Sequence, residues 1–407
     1  MYKTNILSDF FVAVTSLSRL LMEFLFWFSV FMIVYAYFGY LLCLFVISLF
    51  KKSKNRENEF FKNYNPDFPA VTLIITAYNE EERIKEKIDG SLLQDYPKDK
   101  YEIIVASDCS SDNTDEIVKS YKGEVKLVRA PERKGKENAQ KYAVETAAGE
   151  IFVFSDVATI LEPTAISSIV RNFSDPSIGC VSSEDRFIDP DGSISGEGTY
   201  VKYEMLLRKL ESRVNTLVGL SGSFFAARRE VCKNWSTELQ SDFNTLLNSV
   251  RRGLRGFSDP KSIGFYKNLA DEKKEYNRKV RTILRGISVM MRNLSLLNPF
   301  KYGLFGWQLF SHKICRWLVP FFLIFLFISN LFIIYDSFFY LLTFGLQVIF
   351  YLMTYIYYQE VKEGKNRVLK KIMRIPYFFV TVNLSILDAW WRYVRGERAT
   401  FWEPSKR

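Results

Sequence analysis

Residues 150–159 read EIFVFSDVAT. An unbroken apolar run ends at a single carboxylate, Asp156, and the positions that follow are small or apolar as far as Ala158. Short continuous apolar runs of this kind belong to strands buried on both faces. A lone acid at the end of such a strand needs a reason, because burying an unpaired carboxylate costs several kcal/mol.

Working outward, the same pattern recurs. VTLIITA (71–77), YEIIVAS (101–107), VKLVRA (125–130) and IGCVSSED (178–185) read as further strands. Helical patterns fall between them, from near Glu80 with Asn79 as its cap, then near 112–121, 136–148 and 162–173. Alternating strand and helix predicts an α/β domain with a mostly parallel sheet covered on both faces.

Charge and composition narrow the class. The chain has 407 residues, and its net charge of +10 invites a nucleic-acid reading. Its basic clusters, however, are KKSKNR after Phe50 and KNRVLKKIMR before Ile375, both beside apolar runs. That placement suits membrane lipids and argues against nucleic acid as a partner. Five cysteines without paired spacing give neither a zinc site nor a disulfide framework. A single histidine, His312, argues against a His-based metal site or a Ser-His triad.

Residues 24–50 carry no charge and are long enough to span a bilayer. The first ~20 residues lack the apolar core and cleavage site of a removable signal peptide. Residues 317–335 and 337–359 are two more spans, broken at Asp336. The run 375–387, between Arg374 and Asp388, is short for a span and reads as interfacial or re-entrant. This arrangement keeps the basic flanks on one side. The expectation is a multi-pass cell-membrane protein whose middle and tail are cytoplasmic. Its parts would be an N-terminal segment and transmembrane helix (1–50), a charged linker (51–69), the α/β domain (70–295) and an interfacial amphipathic helix with the KICRW residues (296–316). Two transmembrane helices (317–359) and a basic loop, short helix and tail (360–407) would follow. The FWEP residues around Trp402 would fold back toward the site.

In open parallel sheets, ligands bind beyond the carboxyl ends of the strands. Those ends here carry Tyr78-Asn79-Glu80, Asp108 and Asp156. Asp108 could accept hydrogen bonds from a base or ribose, and a divalent cation could neutralise Asp156. The alternative is that each residue only caps the next helix or turn. RKGKENA (133–139) is a basic loop opening a helix, a setting that favours phosphate, with Lys136 as an added charge. There is no GxGxxG or P-loop motif.

Taken in order, AYNEEERI, SDCSSDNT, GKENA and FSDVAT resemble the nucleotide-sugar half of family 2 glycosyltransferases with the GT-A fold. The flanking apolar helices are similar to those of its membrane-embedded members, which include hyaluronan, chitin and cellulose synthases. The resemblance covers residues 69–317. It implies that Tyr78 and Glu80 lie by the nucleobase, that Asp108 binds the uracil or ribose, and that Lys136 lies near the nucleotide. It makes Asp156 the first acid of a DxD motif holding Mg²⁺ or Mn²⁺, with Ala158 in place of the second. Diphosphate oxygens and water would complete the metal's shell. It places the catalytic base at Asp242, in ELQSDFNTLL, with Ser241 standing where another acid often precedes it and serving as a helix cap. Ser221 and Gly222 would face the acceptor. SHKICRW resembles the QxxRW motif, with Lys313 at the Gln position, Arg316 on the leaving diphosphate and Trp317 on the acceptor sugar. The expected function is an inverting hexosyltransferase using a nucleotide-sugar donor, a UDP-sugar, and a glycan or lipid-linked acceptor for cell-surface polysaccharide, with a homo-oligomer or secretion partner completing any channel. A non-catalytic membrane scaffold with a degenerate metal site is the rival.

Overall fold

A computed structural model describes residues 3–51, 68–188, 199–267, 272–362 and 370–398. Most of the charged linker and the residues around Trp402 lie outside the described residues. The chain divides into two compact units. One comprises Cys43–Lys274, Leu284–Leu309 and Gly396–Arg407, and the other Met1–Leu42, Glu275–Ile283 and Phe310–Arg395.

The first unit is built on an eight-stranded sheet. Its strands are β1 (Val71–Ala77), β2 (Tyr101–Ser107), β3 (Lys126–Arg129), β4 (Ile151–Asp156), β5 (Ile160–Leu161), β6 (Ile178–Ile188), β7 (Phe224–Arg228) and β8 (Arg255–Lys267), in the order β3-β2-β1-β4-β7-β6-β8-β5. β1 is buried at every position, as a central strand covered on both faces must be. Pairings β1–β2, β1–β4, β2–β3 and β6–β8 are parallel, so the sheet is mostly parallel as expected. The expected fifth strand, β6, does not pair with β4. The GSFFAAR stretch forms β7, which runs antiparallel to both and separates them. Its near-continuous burial resembles the other central strands, and nothing local to it sets its direction.

Helices Ile84–Leu92, Thr114–Lys119, Lys136–Thr146 and Ala165–Val170 connect the strands near their expected places. One core layer joins Leu73, Ile75, Ile84 and Ile88, and the other joins Ile74, Phe152, Ala139 and Ala143. Asn79 does not cap the first helix. It has φ +51°, and its side chain exchanges hydrogen bonds with Ser111 across the strand ends. The expected amphipathic helix at 296–316 is also not one helix. It is a 3₁₀ turn (Leu294–Leu297) and two short helices (Pro299–Tyr302, Leu304–Leu309), because Pro299 starts a new helix capped by Asn298 and Gly303 at φ +54° ends it. Phe300 is fully exposed there, whereas Gln308 is buried and bonded to Asn215.

In the second unit, the N-terminal apolar run belongs to a continuous helical rod. An α-helix (Lys3–Val34), a π-helical turn (Tyr35–Gly39) and a helix (Tyr40–Phe50) follow one another, the last residues of the rod falling in the first unit. A second π-helical turn, Phe310–Cys315, precedes helix Arg316–Ile333, and Tyr35 Oη lies 2.7 Å from Ser311 Oγ between the two turns. Helix Phe338–Lys362 follows the break at Asp336. The run expected to be short lies within a 25-residue helix, Lys370–Val394, because the charged residues on both sides continue it. Among the described residues, four helices are long and apolar enough to cross a membrane: Ser16–Phe50, Leu304–Ile333, Phe338–Glu360 and Ile372–Val394.

Candidate active site

Three strand ends converge. In the parallel register Ala77 of β1 lies opposite Ser107 of β2, and Thr76 opposite Asp156 of β4. Asp108 and Asp156 therefore flank the end of β1 at two strand spacings, about 10 Å. The segment 134–136 connects them. Backbone amides of Lys134 and Gly135 donate to Asp108 Oδ1 and Oδ2 at 3.1 and 2.9 Å. Gly135 sits at φ +101°, which a side chain would strain. One residue on, Lys136 Nζ donates to Asp156 Oδ1 at 2.5 Å and to the Gly222 carbonyl at 2.8 Å. Asp108 is fully buried, and burial pushes its carboxyl up while the two amides hold it back.

Asp242 lies in the first turn of helix Ser241–Arg251. Its carboxylate faces Gly222, where an added Cβ would meet Oδ2 at 3.0 Å. Gln240 Nε2 donates to the same oxygen at 3.1 Å. Burial raises the Asp242 pKa, against the opposing charges of Lys136 and Arg285. Gly222 thus stands between two acids, its carbonyl on Lys136 and its Cα face on Asp242. Ser241 is not the helix cap; it occupies the first helical position, and its amide donates to Glu137 Oε1 at 3.2 Å.

The other expected residues are distributed as follows. The Arg133 guanidinium lies 3.9 Å over the Tyr78 ring. Glu80 is buried and ion-paired with Arg83 at 2.7 Å. Burial raises its pKa, Arg83 opposes this, and the charge of Asp156 adds to it. Ser221 Oγ donates to Asp185 at 2.7 Å, and Ser223 Oγ does so at 3.1 Å. Asp185 therefore holds both sides of Gly222 from within β6. Arg316 and Trp317 belong to the other unit. There, Arg316 Nη1 is 3.3 Å from His312 Nε2, and the buried Trp317 accepts Trp390 Nε1 on its carbonyl at 3.0 Å.

Besides Arg285, three charged groups escaped the sequence reading. Glu137 is buried and paired with Arg285, and its carbonyl accepts Trp235 Nε1 at 3.1 Å. Lys87 is buried beneath the Asp156 turn and donates to Ser155 Oγ and the Thr159 carbonyl, both at 2.7 Å. Burial brings its pKa down to about 7, although the Asp156 charge pulls it up. Asp185 is the third. Lys87 had a visible signal: it lies on the apolar stripe of Ile84, Ile88 and Ser91. Glu137 directly follows Lys136 in the GKENA loop. Arg285 had no local signal.

Among the described residues no three His, Cys, Asp or Glu side chains gather as a metal site. Asp156 offers a hard oxygen at this rim, with part of its side chain exposed and Lys136 already on it. The residues fit a divalent cation that brings most of its oxygen ligands with it, and not one caged by protein alone.

The family model described as glycosyl transferase family 2 matches residues 72–235. Poly-beta-1,6-N-acetyl-D-glucosamine synthase of Staphylococcus epidermidis is 25% identical over 226 residues, 53% of this chain and 53% of that protein. The protein of the same description from Staphylococcus aureus strain COL is 28% identical over 216 residues, 50% of this chain and 51% of that protein. The chain spans about half the length of the curated relatives it matches. Among solved structures, mannosyltransferase PcManGT from Pyrobaculum calidifontis, in complex with GDP-Man and Mn²⁺, superposes with a TM-score of 0.61 at 21% identity, covering 90% of this chain and 99% of that one. That last likeness is one of fold. Residues 72–235 thus match a glycosyl transferase family 2 domain, and the fold is GT-A-like.

Proposed function

We propose that the chain transfers a sugar, with inversion, from a UDP-sugar to a glycan acceptor at the cytoplasmic face of a cell membrane, in cell-surface polysaccharide synthesis. One observation carries this reading: Lys136 ties Asp156 to Gly222, and Asp242 packs against that same glycine. A diphosphate-facing carboxylate and a buried base thus stand on either side of one small residue, which leaves room for a sugar. The similarity to poly-beta-1,6-N-acetyl-D-glucosamine synthases supports a polysaccharide product.

In the proposed reaction, Asp242 takes the proton of an acceptor hydroxyl as its oxygen bonds to the anomeric carbon. The bond from that carbon to the diphosphate breaks, and UDP leaves from the opposite face. Asp242 must be ionised for this. Lys136, Arg285 and the helix start favour the charged form against burial. The amides that hold the 133–135 loop on Asp108 shape the nucleotide end, with Tyr78 under Arg133. Asp156 would hold Mg²⁺ or Mn²⁺, whose charge stabilises the departing diphosphate when bound. PcManGT's Mn²⁺ complex supports such use by analogy. Arg316 and Trp317 are assigned to leaving group and acceptor on the motif alone.

The test is a screen of UDP- and GDP-sugars for nucleotide release by membranes containing the protein, with Asp242→Asn as control. Release by the unaltered chain alone supports the reading, and release by neither or by both sinks it. Product size from a radiolabelled donor then separates a polymer from single addition to a lipid-linked acceptor. A scaffold that has kept only the fold is the second reading, favoured by Ala158 and by the lysine on Asp156. It predicts UDP binding indifferent to Mn²⁺ and no turnover.

A further inference from the structure

Lys136 stands at the one point where a divalent cation would attach. Its ammonium lies 2.5 Å from Asp156 Oδ1, and both side chains sit at the rim between β1 and β4, with the lysine 8% and the aspartate 23% exposed. The ammonium is held in place by a second acceptor, the Gly222 carbonyl at 2.8 Å. Asp156 is therefore neutralised before any ligand arrives. Two positions on, Ala158 stands where the motif's second carboxylate would be. An ammonium and a doubly charged cation held on one carboxylate repel each other, so a metal on Asp156 would favour the ammonium's departure from Oδ1.

We propose that Lys136 is the resting counter-ion of Asp156 and that it and the divalent cation occupy that carboxylate in alternation. This rests on the nucleotide-diphosphate reading above and deepens it. Without metal, Lys136 cancels the charge of Asp156 and lets a diphosphate approach. With metal, the cation takes Asp156, and the ammonium, anchored by Gly222, remains for the phosphate oxygens. Either cation suffices to remove the repulsion between Asp156 and the diphosphate. Losing both leaves an uncompensated carboxylate facing it.

The test is UDP affinity, measured by calorimetry on the full chain in detergent, in EDTA and in saturating Mn²⁺. The ratio of the two Kd values is expected to rise at least tenfold in Lys136→Met, because UDP weakens in EDTA while Mn²⁺ restores it to within threefold of the unaltered protein. Lys136→Arg keeps the original ratio. Asp156→Asn, which removes the charge needing compensation, brings the ratio near one and serves if Lys136→Met fails to fold. An unchanged ratio in Lys136→Met, with UDP weakened equally in both conditions, would overturn the alternation and leave metal use intact. A ratio of one in the unaltered protein would remove the metal from the reading and the proposal with it.

Discussion

Gly222 and Asp242 are in contact without a side chain between them: a Cβ on Gly222 would stand 3.0 Å from Asp242 Oδ2 and 3.5 Å from its Cγ. That is tighter than ordinary van der Waals contact, so any larger residue displaces the carboxylate. Gly222→Ala should lower turnover roughly tenfold or more, since small errors in the position of a reacting group are costly. Nucleotide affinity should stay within about threefold, because the Gly222 carbonyl still accepts from Lys136. Steady-state rates alongside UDP calorimetry check this, and equal losses in both would contradict it.

Asp242 should be a stability liability that function retains. Burial raises its pKa, so the folded state holds the carboxyl proton more tightly than the unfolded chain does. The sign follows: its contribution favours folding below the ordinary aspartate value of 3.8 and is lost as pH rises through the raised folded value. At pH 7 Asp242→Asn should therefore melt at a higher temperature than the unaltered protein, and the gap should close on acidification toward pH ~4. Turnover of the unaltered enzyme should fall over that same raised window as the base is protonated. Thermal melts across pH would show the gap constant or reversed if the carboxylate were instead a net stabiliser.

The Glu137–Arg285 pair joins the start of one site helix to the helix ending at Met291, and Glu137 also receives the Ser241 amide beside Asp242. Removing one member leaves a buried, uncompensated charge, which typically costs about 3–5 kcal/mol. Arg285→Met should be destabilised on that order. Adding Glu137→Gln should recover a large part of the stability, since the orphaned charge is gone. Activity should return only in part in the double variant, because the lost Arg285 charge acts on Asp242 more strongly than the lost Glu137 charge that opposed it. Denaturant unfolding of the two single variants and the double variant reads the coupling directly.

Lys87 predicts a pH dependence of the opposite sense to an ordinary surface lysine. Its folded pKa is depressed to about 7 by burial, below the ordinary lysine value of 10.5. The penalty for holding it charged is full below pH 7, relaxes as pH rises, and is absent above the unfolded value. Lys87→Met removes that penalty along with two hydrogen bonds, each worth about 1 kcal/mol. Its stability relative to the unaltered protein should accordingly be better at pH 6.5 than at pH 9.5, by on the order of 2 kcal/mol. A difference that does not vary with pH would mean that Lys87 is solvated in solution.

The parts of this fold legible in the sequence are those whose signal is local. β1, β2 and β4 are continuous apolar runs, and Asp108 and Asp156 stand directly at their ends, so both the strands and the rim could be read along the chain. The direction of β7, by contrast, is fixed by pairing with β4 and β6, which lie far away in sequence. The same limit hid Arg285, whose partner Glu137 lies 148 positions earlier. Helix ends were misjudged where a side chain had a better distant partner: Asn79 bonds Ser111 and leaves the helix start uncapped. Helix Lys370–Val394 outran its apolar core because Arg392 and Asp388 pair one turn apart and extend it.

In the proposed reaction Asp156, Lys136 and Asp242 form one site at which a nucleotide sugar is bound and then cleaved. Separating binding from turnover tests it most directly: UDP affinity and UDP-sugar turnover measured on the unaltered chain and on Asp242→Asn. Asp242→Asn should bind UDP within about threefold of the unaltered protein while turning over at least ~10²-fold more slowly. Turnover preserved in Asp242→Asn, or no UDP binding by the unaltered chain, would contradict it.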